Sequence, residues 1–295
     1  MRIAAVVSLA ACFLAAGCGG SSSAREEPEA GTLEALWRAP GEDVAIVPGS
    51  ADFGPGKIRF AFLVVDGKGG LVTRPTAKVW LAKALKAEPF AETTARAEKI
   101  GVGAVEPGEA PEVFVAELEL PEPGTYWLLA EPVGGKPIQA VGNVQVKEKP
   151  VAPDVGDPVP ASDTPTLANA TLNELTTSTT PDRGLYRTSI AAALAAKKPF
   201  VVVFATPRYC TSRTCGPVVE VVSEVRKRRP ELTYVHVEIF EGNDPARGEN
   251  PWVREWKLPS EPWVFVVGAD GKVRERYEGT VSVRELAAAV ERLPA

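Results

Sequence analysis

Histidine and methionine are almost missing from this chain, which holds one of each in 295 residues. A metal site built on paired imidazoles, or a methionine-rich copper site, therefore cannot be assembled within one chain. An imidazole-centred mechanism has only His236 to draw on. Excess basic charge is missing too: 33 Lys and Arg stand against 38 Asp and Glu, for a formal net charge of -5. No broad positive field exists to hold nucleic acid, so that class of partner is set aside. No apolar stretch after the first residues approaches the roughly 20 residues that cross a bilayer. No cofactor motif is found, and none is expected. Cysteine is scarce, with four residues, so any covalent chemistry is narrowed to very few atoms. What is present, 45% hydrophobic and 24% charged residues, is an ordinary globular balance.

The N-terminus opens Met1-Arg2 and continues with an apolar run, Ile3 to Ala16, interrupted by Ser8. Leu14-Ala15-Ala16-Gly17-Cys18 then leads into a small polar tract. This arrangement resembles a bacterial lipoprotein signal. The resemblance implies cleavage after residue 17, a thioether-linked lipid on Cys18, and a chain held on the extracytoplasmic side of the cell membrane by acyl groups. The alternative is a plain secretory signal in which Cys18 is incidental. Residues 18–31, rich in Ser, Gly and Glu, read as a flexible tether.

Residues 32–147 alternate apolar and polar side chains between turn signals, the pattern of half-buried strands. Ile58, Phe60, Phe62 and Val64 share one parity before Asp66-Gly67. Phe114, Ala116, Leu118 and Leu120, and then Tyr126, Leu128 and Ala130, repeat it. Pro121 to Tyr126 is similar to the corner before a late strand of immunoglobulin-like domains, so an all-β immunoglobulin-like sandwich is expected here. No catalytic constellation is visible in it, and a spacer or docking role follows. Residues 148–183, carrying Pro150, Pro153, Pro158, Pro160 and Pro165 and then a Thr-rich stretch, read as a linker and lead-in.

From residue 184 to 295 the pattern changes to strands alternating with helices, which predicts an α/β sheet. Phe200 to Phe204 is a continuous apolar run suited to a buried strand. Pro217 to Arg229 reads as a helix whose last turn is basic, which complements its carbonyl end. Trp263 to Val267, Asp270-Gly271 and Val273 to Tyr277 form a hairpin, and Ser282 with Glu285 makes a capping box for a last helix. His236 sits mid-strand, where a hydrogen-bonded structural role is expected. Trp252, Trp256 and Trp263 are expected to pack as core or rim.

Three local features carry a second resemblance. Val202 to Ala205 runs into Tyr209-Cys210, Cys215-Gly216-Pro217 matches the start of a Cys-Gly-Pro-Cys motif, and Glu261-Pro262 precedes the hairpin. Together they resemble the thioredoxin-like superfamily over the last 110 or so residues, which implies a thioredoxin-like α/β fold and thiol-disulfide exchange. By that resemblance Cys210 and Cys215 are the catalytic pair, and Glu261 and Pro262 form the substrate-docking loop, with Pro262 the cis-proline. The chain departs from the pattern at Val218, which stands where the motif has its second Cys, and at Val203, which stands where many relatives keep a buried acid. The cysteines are instead spaced as Cys-x4-Cys. Residues five apart on a continuous helix are separated by about 7.5 Å along the axis and about 140° around it, so the pair can meet only if the segment is a loop.

A thiol at a helix N-terminus, with Arg208 and Arg213 nearby in sequence, is pushed toward thiolate. The Gly-Pro context favours Cys215 as the attacking thiol, and the aromatic-Cys context favours Cys210. Two other readings stand beside exchange. One is a permanent structural disulfide in a redox-inactive binding or scaffold lipoprotein. The other is a thiol peroxidase, because Cys210-Thr211 to Cys215-Gly216 is similar to the Cys-Thr-x-x-x-Cys-Gly of peroxiredoxins of the bacterioferritin-comigratory type, although Thr206-Pro207 sit one place out of step. The expected partners are exported thiol or disulfide proteins, with the membrane contacted through lipid. No metal site is expected.

Overall fold

A computed structural model describes residues 27–103, 110–134 and 138–293. The expected signal at 1–17, the expected lipidation site Cys18 and most of the expected tether lie outside the described residues. Among those described, no helix is long and apolar enough to cross a membrane.

The first half is a barrel. After a short helix α1 (Leu33–Trp37), strands β1 (Glu42–Pro48), β2 (Gly56–Asp66), β3 (Thr76–Ala82), β4 (Ala91–Lys99), β5 (Glu112–Leu120), β6 (Gly124–Pro132) and β7 (Ile138–Val146) follow one another. They close in the order β1-β2-β5-β4-β3-β6-β7. The expected immunoglobulin-like sandwich is therefore corrected to a closed seven-strand barrel. The deciding contact is the parallel pairing of β7 with β1, which runs from Glu42 against Ile138 to Ala45 against Val141 and removes both sheet edges. Alternation along a strand specifies one apolar face and is the same for a sandwich and a barrel, so it carries no signal for closure. The inward residues are the ones the alternation marks. Phe60, Phe62, Phe114, Leu118, Leu120 and Leu128 are buried in one cluster, and Phe62 stacks between Phe60 and Phe114 with ring centroids 5.3 and 5.4 Å away. The Tyr126 hydroxyl donates to the carbonyl of Glu122 (2.9 Å) and accepts its N–H (3.1 Å), tying down the corner before β6.

Residues 148–183 do not hang free. Asp52, on the loop between β1 and β2, is buried to 3% exposure and receives the N–H groups of Val151 and Ala152 at 2.9–3.0 Å. Pro158 bridges to Lys272, and Ala152, Val159, Ser162 and Thr164 are buried. Proline spacing identifies an extended backbone but says nothing of what that backbone lies against.

The second half centres on β8 (Phe200–Phe204), β9 (Thr233–Val237), β10 (Trp263–Val267) and β11 (Val273–Glu278), in the order β11-β10-β8-β9. Helices α2 (Leu172–Leu175), α3 (Ile190–Ala195), α4 (Cys215–Arg228), α5 (Pro251–Glu255) and α6 (Val283–Glu291) surround it. The expected α/β thioredoxin-like fold is also corrected: the chain carries few helices, 21%, beside the barrel and one small four-strand sheet. Only β8 and β9 pair in parallel, and β10 is antiparallel to both β8 and β11. Apolar runs such as Phe200 to Phe204 mark a buried strand in any sheet class. They do not fix how much helix forms around the sheet, which is where the structure departs from the expectation.

Both faces of this sheet are covered, which is why β8 and β10 are buried throughout. On one face Val201 and Val203 meet Val218, Val222 and Val225 of α4 and Leu286 and Val290 of α6. On the other, Phe204 and Phe265 each pack against Trp256 with centroids 4.9 Å apart. The valines of α4, weak helix formers, are tolerated because all five of them fill buried positions. Ser282 and Glu285 form the capping box read from the sequence at the start of α6.

The two halves meet across a polar seam. Arg276 of β11 and Lys147 reach Asp52 at 2.8 and 2.9 Å. Glu278 accepts the N–H groups of Ala51 and Asp52, both at 2.7 Å. Arg59 of β2 holds Glu285 with two contacts, at 2.7 and 3.1 Å. Burial alone raises the Asp52 carboxyl, but its bonds from Lys147, Val151, Ala152 and Arg276 hold it below the ordinary carboxylate range. Asp52→Ala removes the nearest carboxylate of the half-buried Arg276 and strands two backbone donors. We expect a loss of about 3–5 kcal/mol, read as a lower denaturant midpoint at unchanged slope. A midpoint equal to the parent's would show that the seam contributes nothing to stability.

Candidate functional site

The cysteines lie where β8 ends and α4 begins. β8 stops at Phe204, and turns at Thr206 to Tyr209 and Cys210 to Arg213 double the chain back, with Arg213 left-handed at φ 58°. α4 starts at Cys215. The segment is thus a loop, which removes the helical separation that would keep five-apart thiols from meeting. Cys210 is half-buried and Cys215 is fully buried, and both are free thiols.

The Cys210 sulfur caps the helix. It accepts the N–H of Cys215 at 3.3 Å, and the Ser212 hydroxyl lies 3.2 Å away, itself 2.7 Å from the Thr214 hydroxyl. The Cys210 thiol is lowered from its ordinary value to about 5. A hydrogen bond from the Cys215 thiol contributes most, burial works against it, and Ser212 and the N–H groups of Cys215 and Thr214 add to the lowering. All of these donors favour the charged form. Cys215 moves the opposite way. Its bond to Cys210, its burial and the charge on Cys210 push it up and keep it protonated, with a smaller contribution from Glu261 and a partial offset from the backbone of Thr206.

Glu261 and Pro262 immediately precede β10, whose Trp263 pairs with Phe204 at the exit of β8. The Glu261-Pro262 loop and the thiols therefore emerge from the same end of adjacent strands. The Glu261-Pro262 bond is cis. Burial raises the Glu261 carboxyl, and Cys210 and Glu249 raise it further by repulsion. Ser260 in the same loop donates to Glu278 at 2.8 Å and accepts the indole N–H of Trp263 at 3.1 Å. Glu278 is the residue that also binds the barrel at Ala51 and Asp52, so one carboxylate joins the barrel to the loop beside the thiols.

Sequence reasoning missed Ser212 and Thr214, although hydroxyls two and four places after Cys210 were a readable signal. It also missed Ser260 and Glu278, which nothing short of the fold brings together. Arg208 stacks over Tyr209 (5.5 Å), and Tyr209 meets Phe240 edge to face (6.4 Å). The lowering of the Cys210 thiol comes chiefly from hydrogen bonds, the one from the Cys215 thiol first. His236 is buried, with Nδ1 2.7 Å from the Tyr186 hydroxyl and Nε2 donating to the Ala205 carbonyl at 3.0 Å. Burial pushes it below its ordinary pKa, so it stays neutral and ties β9 to the strand exit. Trp256 and Trp263 are fully buried. No cluster of three metal-ligating side chains occurs among the described residues. Comparisons with known protein families, curated proteins and solved structures find no match.

Proposed function

We propose that the protein performs thiol-disulfide exchange on exported proteins, with Cys210 as the attacking thiolate and Cys215 as the resolving thiol. The observation that carries this reading is the asymmetric pair: an accessible sulfur on a helix N-terminus, low in pKa, hydrogen-bonded by a buried thiol that stays protonated. In the forward direction the Cys210 thiolate attacks one sulfur of a partner disulfide. A Cys210-partner bond forms, the partner's own S–S bond breaks, and its second sulfur leaves as thiolate and takes up a proton. Cys215 then gives up its proton and attacks the Cys210 sulfur, which closes Cys210–Cys215 and releases the partner's first thiol. Two electrons pass from the dithiol to the disulfide, and the reverse sequence oxidises a partner dithiol. The resemblance of the N-terminus to a lipoprotein signal supports a lipid-tethered protein outside the cytoplasm, an environment in which such substrates occur.

A permanent disulfide needs no depressed thiol, and the test follows from that. Alkylation of the reduced protein across pH should show one reactive sulfur with a midpoint near 5. A midpoint above about 8, where an ordinary thiol titrates, would remove the exchange reading.

A further inference from the structure

A cleft of about 1030 Å³ opens beside the thiol loop, with walls from both halves of the molecule. One wall is the connection leaving β4, including Gly101 and Val102. The second is the Thr177–Thr180 segment, and the third is Pro207 with the first turns of α4, including Gly216 and Pro217. The barrel comes close to the helix start: a Cβ on Gly101, whose φ is +74°, would lie 3.2 Å from the Pro217 Cβ. Gly216, next to Cys215, faces open space.

The chemistry of the walls selects the guest. Asp182 is paired with Arg226 at 2.7 Å, and Glu224 with Lys227 and Arg228 at 3.5 and 3.1 Å. That leaves Arg208 and Glu220, of opposite sign, so the cleft has no surplus charge for a phosphate or a carboxylate-rich ligand. Its volume is at the upper end of small-molecule sites, about 300–1,000 Å³, and suits several residues of chain. Among the described residues Thr179 has no hydrogen-bond partner. It therefore offers a main-chain N–H and C=O of the kind an extended guest pairs with. Val102 adds an exposed apolar contact, 41% accessible. The cleft borders the loop that carries the reacting sulfur, because its lining includes Pro207 and Arg208, two to three residues before Cys210, and Gly216 next to Cys215.

We infer that the barrel is the substrate-docking module. Residues 100–103 after β4 and the Thr177–Thr180 segment hold an extended, uncharged stretch of a partner polypeptide against the start of α4 and so deliver its disulfide to Cys210. This rests on the exchange reading. In the step measured, the Cys210 thiolate attacks the peptide sulfur of a peptide-nitrothiobenzoate mixed disulfide. A Cys210-peptide bond forms and the coloured nitrothiobenzoate leaves.

The test uses the whole reduced protein and two probes with that same leaving group. One is a short Gly/Ser/Ala peptide with a single central cysteine, and the other is N-acetylcysteine. The wild type should release nitrothiobenzoate from the peptide probe about tenfold faster than from the small one, the effect of roughly one well-made contact region. Val102→Asp, which charges one wall, and Ser223→Trp, which fills the cleft from α4, should each bring that ratio close to one while the small probe reacts at the parental rate. A wild-type ratio near one, or a ratio kept by both variants, overturns the docking assignment. Failure of wild-type Cys210 to react with the small probe overturns the exchange reading and the docking assignment with it.

Discussion

Cys215→Ser protein mixed with a disulfide-bonded peptide accumulates as a covalent adduct through Cys210, whereas Cys210→Ser protein forms none. The reason is the division of labour in the pair. With its pKa near 5, Cys210 is almost entirely thiolate at neutral pH, where a thiol at the ordinary value of 9.0 is about 1% ionised. A low pKa also weakens a thiolate as a nucleophile, with a Brønsted coefficient of about 0.4–0.5. The advantage over a free thiol is therefore small at pH 7 and grows to about 40-fold near pH 5.5, where free thiols are nearly all protonated. Trapping at mildly acid pH should show the contrast best. Cys215→Ala should also move the Cys210 midpoint upward, because the Cys215 thiol is the largest contributor to the shift. Mass spectrometry after acid quench reads the adduct. An adduct through Cys215 in the Cys210→Ser protein would reverse the roles assigned here.

The reduction potential of Cys210–Cys215 should fall by about 30 mV per pH unit above pH 5 and by about 59 mV per unit below it. Reduction takes up two electrons throughout. Above pH 5 the product is one thiolate and one thiol, which costs one proton; below it both sulfurs are protonated. The sign follows from linkage. A depressed thiol pKa stabilises the reduced fold, fully above the unfolded value near 9, and this contribution is lost as pH falls through about 5. At pH 7, with allowance for the partial exposure of Cys210, that is about 2 kcal/mol in favour of the dithiol. It makes the disulfide about 40 mV more oxidising than the same pair with an ordinary thiol. Equilibration with a glutathione series across pH measures both the slope and its break. A slope of about 59 mV per unit continuing up to pH 8 would mean that no sulfur is ionised in the reduced protein.

How much of this could be read beforehand differs between elements. The inward faces of the first seven strands follow from period-two alternation, and Phe60, Phe62, Phe114 and Leu118 lie inside as that pattern requires. The start of α6 was legible because a capping box is a local device of four residues. The basic last turn of α4 and the Tyr126 corner are local as well. Closure of the barrel was not legible, because it depends on β1 meeting β7 almost a hundred residues later, and alternation is silent about partners. The order of the four-strand sheet was not legible for the same reason, although its β10-β11 hairpin was. At the site, the two cysteines and the Glu261-Pro262 loop stood out from residue type and spacing. Ser260 and Glu278 did not, since each is an ordinary polar residue until the seam with the barrel gives it partners.

By its composition and spacing alone, the chain singled out Cys210 and Cys215 as the candidate thiol pair, and required the segment between them to be a loop for them to meet. Residue counts and helix geometry are enough for both, because neither depends on what else folds nearby. What separates the two thiols comes only from tertiary structure. The direction of the hydrogen bond between the two sulfurs, together with burial, favours the charged form at Cys210 and the neutral form at Cys215. The same holds for the barrel. Its strands were readable one by one, but its place as a wall beside the thiols exists only because Asp52, Arg59 and Glu98 find Arg276, Glu285 and Arg284 across a seam that no local pattern encodes.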